Sequence, residues 1–351
     1  MVEGLLFEAA TKADDGYIYA VSSRYNALYK IDSNNRATYI GNLWMEQYNR
    51  KRLSFSAISY KDYVYFAPKN GTLLWYYDTK KQVIEYIEIY NKDELCIDIC
   101  DSVIYDDKLI LFSAKMDFIV TVDCTTNKLV SFIQYNDIGI YCRKGIRVNN
   151  KYYIPSTISG TIVIVNLETL AREEYFIDDF RGAWNVSRNK DDLWMAPRYE
   201  GDPILRLSIT RGICQKYSIG NTKTNVAKYL YSFFYEDRLC VIGDDAQDSF
   251  IYDTNKQKVE WKWLHFSDER NKVLIGYKDN DYLVIALYRE KADVFSLSEP
   301  IVIKEIDTKT LKVRDLHYIE DENNNISIQK KNRVVMYEND KLDLRLLFKI
   351  C

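Results

Sequence analysis

Short apolar runs separated by polar turns recur along the whole chain, and one run in each group ends in Asp or a substitute for it. These runs are Leu28-Tyr29-Lys30-Ile31-Asp32, Leu74-Trp75-Tyr76-Tyr77-Asp78, Ile119-Val120-Thr121-Val122-Asp123, Ile162-Val163-Ile164-Val165-Asn166, Leu205-Arg206-Leu207-Ser208, Phe250-Ile251-Tyr252-Asp253 and Val302-Ile303-Lys304-Glu305-Ile306-Asp307. Their ends fall at 32, 78, 123, 166, 208, 253 and 307, in steps of 46, 45, 43, 42, 45 and 54 residues. A period of this length is the mark of tandem supersecondary units. The terminal Asp or Asn acts locally, since its side chain accepts a backbone N–H two residues on and closes the turn, helped by a neighbouring Thr or Ser. Asp78-Thr79-Lys80-Lys81, Asp253-Thr254-Asn255-Lys256 and Asp307-Thr308-Lys309-Thr310 show the pattern most fully.

A second hairpin precedes each anchor run, as in Tyr60-Lys61-Asp62-Tyr63, Tyr105-Asp106-Asp107-Lys108 and Tyr235-Glu236-Asp237-Arg238. Two strands therefore precede the anchor strand and one follows it, which predicts four-stranded units. Such a sheet cannot hide both faces alone, whereas radial stacking of similar sheets buries them and leaves short, protected edges. The fold class expected is all-β, a single β-propeller domain over residues 1–351. The 30 tyrosines against 13 glycines and 5 prolines agree with pleated, half-buried surface.

Blade number turns on the end of the chain. Asn325-Ile326-Ser327-Ile328-Gln329, Arg333-Val334-Val335-Met336-Tyr337 and Leu344-Arg345-Leu346-Leu347-Phe348 fall where three strands of another unit belong. Residues 320–351 thus read as a weak final unit, and eight blades are preferred to seven. Leu6 to Thr11 serves as the first strand of the first blade, so no N-terminal strand is needed to close the ring. The long last step reflects an enlarged loop, Arg289 to Glu299, read first as an insertion with no task and, as the alternative, as a surface contact through Asp293 or Phe295.

Val103-Ile104-Tyr105-Asp106-Asp107-Lys108-Leu109-Ile110-Leu111-Phe112-Ser113-Ala114, with Phe118 to Asp123 and Thr126-Asn127-Lys128-Leu129, resembles the repeat of bacterial kelch-like propellers. PQQ and YVTN-type repeat propellers are looser neighbours. Where kelch repeats carry paired glycines, this chain has Ala67-Pro68, Ser113-Ala114, Pro155-Ser156, Ala196-Pro197 and Ile242-Gly243. The resemblance covers nearly the whole chain. It implies protein or carbohydrate binding as the common role and enzymes such as oxidases and lyases as the minority.

With 48 basic and 51 acidic residues, net charge -3, the chain has no global attraction to nucleic acid or anionic lipid. No apolar run is long enough to span a bilayer. Met1 to Phe7 does not read as a secretory signal, so a cytoplasmic location is expected, although a mature chain from which a signal had been removed would read the same. Seven scattered cysteines suit a reducing compartment. Neither Cys96-Ile97-Asp98-Ile99-Cys100 nor Asp244-Asp245-Ala246-Gln247-Asp248 completes a metal site, and no cofactor motif is present. His265 and His317 are the two histidines, which disfavours histidine-based acid–base chemistry.

Loops that lead into the first strands gather at one mouth of a propeller channel. From them we select Trp44, Tyr48, Arg52, Arg143, Arg181, Trp184 and Lys228 as the ligand-binding patch. Aromatic rings stack on a sugar or anchor a peptide, and arginines hold carboxylates. The expectation is a monomeric, noncatalytic binding module or assembly scaffold, with a protein or an acidic carbohydrate as ligand. The alternative is a carbohydrate-active hydrolase or lyase with carboxylates converging in the channel. A purely structural propeller is the third reading.

Overall fold

The computed structural model describes residues 6–22, 26–46, 52–71, 73–89, 97–135, 140–220, 222–261, 263–264, 271–279, 281–289 and 302–320. The strands run β1 (Phe7–Lys12), β2 (Ile18–Ser22), β3 (Leu28–Ile31) and β4 (Arg36–Gly41) in the first blade. The second has β5 (Ser54–Tyr60), β6 (Tyr63–Pro68), β7 (Leu73–Asp78) and β8 (Val83–Glu88); the third has β9 (Ile99–Tyr105), β10 (Lys108–Ser113), β11 (Phe118–Asp123) and β12 (Lys128–Gln134). The fourth has β13 (Ile146–Val148), β14 (Lys151–Pro155), β15 (Thr161–Asn166) and β16 (Arg172–Phe176), and the fifth β17 (Ser187–Asn189), β18 (Asp192–Met195), β19 (Ile204–Ser208) and β20 (Cys214–Tyr217). The sixth has β21 (Tyr229–Tyr235), β22 (Arg238–Gly243), β23 (Phe250–Asp253) and β24 (Lys258–Trp261), and the seventh β25 (Asn271–Asp279), β26 (Tyr282–Arg289), β27 (Val302–Asp307) and β28 (Val313–Asp315), followed by β29 (Ile319–Glu320). Each blade is an antiparallel meander in chain order.

The burial of each strand follows its place in the blade. Second and third strands are covered on both faces by adjoining blades, so β10 and β11 are continuous apolar runs with almost every residue buried. Fourth strands lie at the rim, and in β8 and β16 most residues are partly or fully exposed. The anchor side chains close the third turn: Asp78 accepts the Lys80 and Lys81 N–H groups at 3.0 and 2.9 Å, Asp123 those of Thr125 and Thr126, and Asn166 those of Glu168 and Thr169. Asp253 and Asp307 repeat the arrangement. The residue after the anchor stitches this turn to the first one, as when the Thr79 N–H donates to the Asp62 carbonyl at 2.8 Å and that of Thr254 to Asp237 at 3.1 Å.

Seven apolar clusters each join two consecutive blades, and one of them, containing Phe7, Tyr29, Tyr277, Val284, Tyr288 and Tyr318, joins the seventh to the first. The protein is therefore a closed seven-bladed β-propeller. This corrects the preference for eight blades. Blade seven packs directly on blade one and leaves no gap for another sheet. The segment after Asp307 instead forms the outer strand of blade seven and then β29, which adds to blade one in parallel with β4, Ile319 opposite Arg36. The remainder of the proposed final unit, 321–351, lies outside the described residues, as do Asp293 and Phe295.

Candidate functional site

Four first strands carry an extra residue near one end. The register slips between Phe7 and Ala9 in β1, between Ser54 and Ser56 in β5 and between Tyr229 and Tyr231 in β21, and β9 slips in the same way opposite Phe112 and Ser113. Such a bulge kinks the strand and re-aims one side chain. The residues set free are Glu8, Phe55, Leu230 and, in β9, Cys100. Three of them, Glu8, Phe55 and Leu230, line a cavity of about 630 Å³ at the mouth of the central channel. A further bulge in β25, between Ile275 and Lys278, brings Gly276, Tyr277 and Lys278 to the same cavity.

Blades six and seven line the cavity with Leu230, Val273, Leu274 and Ile275 alongside Asp244 and Lys278, and the segments before β5 and β13 and after β6 give it a cationic side. Phe55 lies at the centre of the cationic side. The Lys69 Nζ is 4.5 Å from its ring centroid, the Lys144 Nζ 5.2 Å and the Arg143 guanidinium carbon 5.3 Å. Arg143 also faces the Trp184 ring at 5.5 Å, and Arg198 covers that ring at 4.8 Å. These are cation–π distances, which lower the cost of holding like charges together.

The partners of these cations differ. Glu8, whose side chain is 1% exposed, takes the Arg52 Nε at 2.6 Å and the Arg52 Nη2. Lys144 donates to Asp101 at 3.1 Å, and the same carboxylate accepts the Tyr152 hydroxyl at 2.6 Å and the Gly145 N–H at 2.8 Å. Asp244 is paired with Lys272. Lys69 and Arg143 have no ion pair among the described residues, and Arg143 Nη1 and Trp184 Nε1 are buried donors without an acceptor there. Burial, with the Arg52 and Arg143 charges beside it, brings the Lys69 ammonium down from 10.5 to about 8, against the opposing pull of Glu8 and Asp98. Burial, with the Asp101 charge, pushes the Tyr231 hydroxyl up, so it remains a donor at the cavity wall.

No family model matches the chain, and no curated protein matches it. Among solved structures it is similar to virginiamycin B lyase from Staphylococcus aureus, at 14% identity and a TM-score of 0.61 over 82% of this chain and 93% of that one. It is also similar to the computationally designed Ika8 protein, at 11% and 0.57 over 90% and 89%, and to BamB from Moraxella catarrhalis, at 12% and 0.53 over 80% and 82%. The likeness is one of fold. A lyase and a designed protein share it, so chemistry has to be read from this chain's own residues.

Of the seven residues selected from sequence, Arg52, Arg143 and Trp184 line the cavity together. Trp44 lies elsewhere, 61% exposed, with its ring edge-on to Trp75 at 6.2 Å and to Tyr86 at 5.5 Å. Arg181 is consumed by structure: its guanidinium bonds to Asp202, to Asn225 and to the carbonyls of Glu200 and Thr224, tying three loops of the rim. Lys228 pairs with Glu200 at 2.8 Å and Asp248 at 3.5 Å on the same rim. Tyr48 lies outside the described residues. In the run from Asp244 to Asp248, Asp245 caps a short 3-10 turn by accepting the Gln247 N–H, while Asp244 and Asp248 serve lysines. Among the described residues no group of His, Cys, Asp and Glu is placed to hold a metal ion.

Sequence reasoning missed Glu8, Phe55, Lys69, Lys144 and Tyr231. Lys69 follows β6, and in an antiparallel blade the end of the second strand lies beside the start of the first. The loops after second strands therefore reach the same mouth, and aligning Lys69, Arg198 and Asp244 by repeat position would have found them.

Proposed function

We propose that this propeller is a binding module that takes a small anionic molecule with an apolar body into the channel mouth. One observation carries the reading: Lys69 and Arg143 face a cavity with apolar lining and make no ion-pair contact among the described residues, Asp98 acting on both at longer range. Unpaired charges held out of bulk water are costly, and a bound anion would offset that cost. The volume, about 630 Å³, suits an acidic sugar or another compact acid, and lies within the usual range of small-molecule sites. An acidic side chain presented by a partner protein would use the same cations. A hydrolase or lyase reading has less support, because the lining carboxylates Glu8 and Asp244 are engaged by Arg52 and Lys272. His317 is exposed on the flank after β28, and His265 lies outside the described residues.

Anilinonaphthalene sulfonate, an anion with an apolar body, tests the reading, with neutral phenylnaphthylamine as its control. The Trp184 indole reports binding. Replacing Arg143→Ala should weaken the sulfonate about tenfold or more, the worth of one charge-assisted contact, and leave the neutral compound unchanged. Affinity for the sulfonate should fall as pH rises through about 8, where Lys69 loses its charge. Equal sulfonate affinity in the folded variant and the parent would remove the cavity as the anion site.

A further inference from the structure

Lys69 is a cation at the mouth with no ion pair among the described residues, and burial lowers its basicity. Its Nζ rests 4.5 Å from the Phe55 centroid, in the cavity and away from any carboxylate contact among the described residues. The charges that face it are Arg52, from the segment before β5, Arg143, from the segment before β13, Glu8 on β1 and Asp98 just before β9. Lys144 shares the Phe55 ring. Burial is the main cause of its lowered basicity, and among the charges Glu8 and Asp98 oppose Arg52 and Arg143. A lysine desolvated among cations is the arrangement that yields an amine nucleophile.

We propose that Lys69 forms an imine with an oxo acid whose carboxylate is held by Arg143; this rests on reading the cavity as an anion site. The neutral amine adds its lone pair to the carbonyl carbon. The carbonyl oxygen then leaves as water, taking both amine hydrogens as the C=N bond forms, so no oxidant or reductant is consumed. The reverse step releases the acid, which makes this a reversible covalent mode of binding. With Lys69 at about 8, about one molecule in ten carries a free amine at pH 7, against about three in ten thousand for an ordinary lysine. Lower basicity also lowers intrinsic nucleophilicity, so the expected advantage in rate is about tenfold rather than the full ratio.

The full chain is treated at pH 7 with glyoxylate and cyanoborohydride, which fixes the imine as a secondary amine, and the sites are mapped by peptide mass spectrometry. Lys69 should be labelled about tenfold faster than the exposed lysines, and Lys69→Arg should lose that label while the others persist. Propionaldehyde, a neutral carbonyl, separates the two halves of the idea. Glyoxylate should be preferred at Lys69 in the parent, and Arg143→Gln should abolish that preference, read as the ratio of glyoxylate to propionaldehyde labelling, because loss of the Arg143 charge also makes Lys69 more basic and slows both reagents. Labelling of Lys69 no faster than of exposed lysines by either reagent overturns the amine chemistry, whatever the sulfonate titration shows. Fast labelling with no preference for glyoxylate keeps the amine and overturns the role of Arg143.

Discussion

Replacing Glu8→Gln sets stability against binding. Glu8 sits at the β1 bulge, its side chain 1% exposed, and takes two guanidinium nitrogens of Arg52, which is 14% exposed. Arg52 has a positive φ of 55°, a conformation that costs a non-glycine residue energy and persists where its surroundings hold it. Removing one partner of a buried pair costs about 3–5 kcal/mol when the other charge is stranded. Glutamine keeps one acceptor, and the cavity gives the guanidinium some water, so about 2–3 kcal/mol is expected. With an unfolding entropy of about 2 cal/mol/K per residue over 351 residues, that lowers Tm by about 3–4 °C. The same change removes a negative charge from the mouth. At an effective dielectric constant of about 20, a unit charge about 8 Å away is worth about 2 kcal/mol, so binding of anilinonaphthalene sulfonate should strengthen by roughly thirtyfold. Thermal unfolding followed by circular dichroism and a fluorescence titration read the two effects. A folded variant that binds the sulfonate more weakly than the parent would refute the electrostatic account of the cavity.

Two further predictions concern the frame. Asp78→Ala removes the acceptor for the Lys80 and Lys81 N–H groups and should cost about 1 kcal/mol in urea unfolding, as for a lost helix cap. Burial pushes the Asp78 carboxyl up, but the Lys81 N–H and ammonium and the Lys80 N–H outweigh it and hold the group below its ordinary 3.8. Because the folded value is the lower one, its contribution is complete above about 4 and disappears as pH falls through the folded value. The Thr125 hydroxyl holds Asp123 down and the Lys256 N–H holds Asp253 down in the same sense, so Tm should drop below about pH 4, and Asp78→Ala should flatten that drop. Phe112→Ala opens the contact between blades three and four, where the buried Phe112 ring stacks on Tyr152 at 4.7 Å and 5°. It should cost about 3–5 kcal/mol, and a loss under about 1 kcal/mol would show that this interface carries little of the stability.

The blade was legible because its determinants are local. Asp78, Asp123 and Asp253 close turns with N–H groups two and three residues away, so a single sequence records the whole interaction. Blade number was not, because the tail after Asp307 has strand-like composition throughout. What decides it is long-range: Leu316 and Tyr318 pack with Phe7 and Tyr277 and bring the last strand beside β4. The same distinction runs through the site. Arg143 and Trp184 announced themselves as an arginine and a tryptophan in segments leading into first strands. Glu8 and Phe55 sit inside strands whose alternation looks ordinary, and only the cross-strand register reveals that each is the extra residue.

That register also explains how one repeat accommodates a specific site. The bulge keeps its place in four blades while its residue changes from the Glu8 carboxylate to the Phe55 ring, the Cys100 thiol and the Leu230 side chain. Residues paired in the ladder must satisfy the neighbouring blades, so β10 and β11 are confined to apolar side chains over most of their length. A bulged residue is released from the ladder and answers mainly to what fills the mouth. Cys100, which is buried and donates to the Ser113 carbonyl at 3.5 Å, marks the blade whose slot turned away from the cavity. On the anion-binding reading proposed above, exchanges at Phe55 or Leu230 should therefore change sulfonate affinity in the fluorescence titration far more than they change Tm.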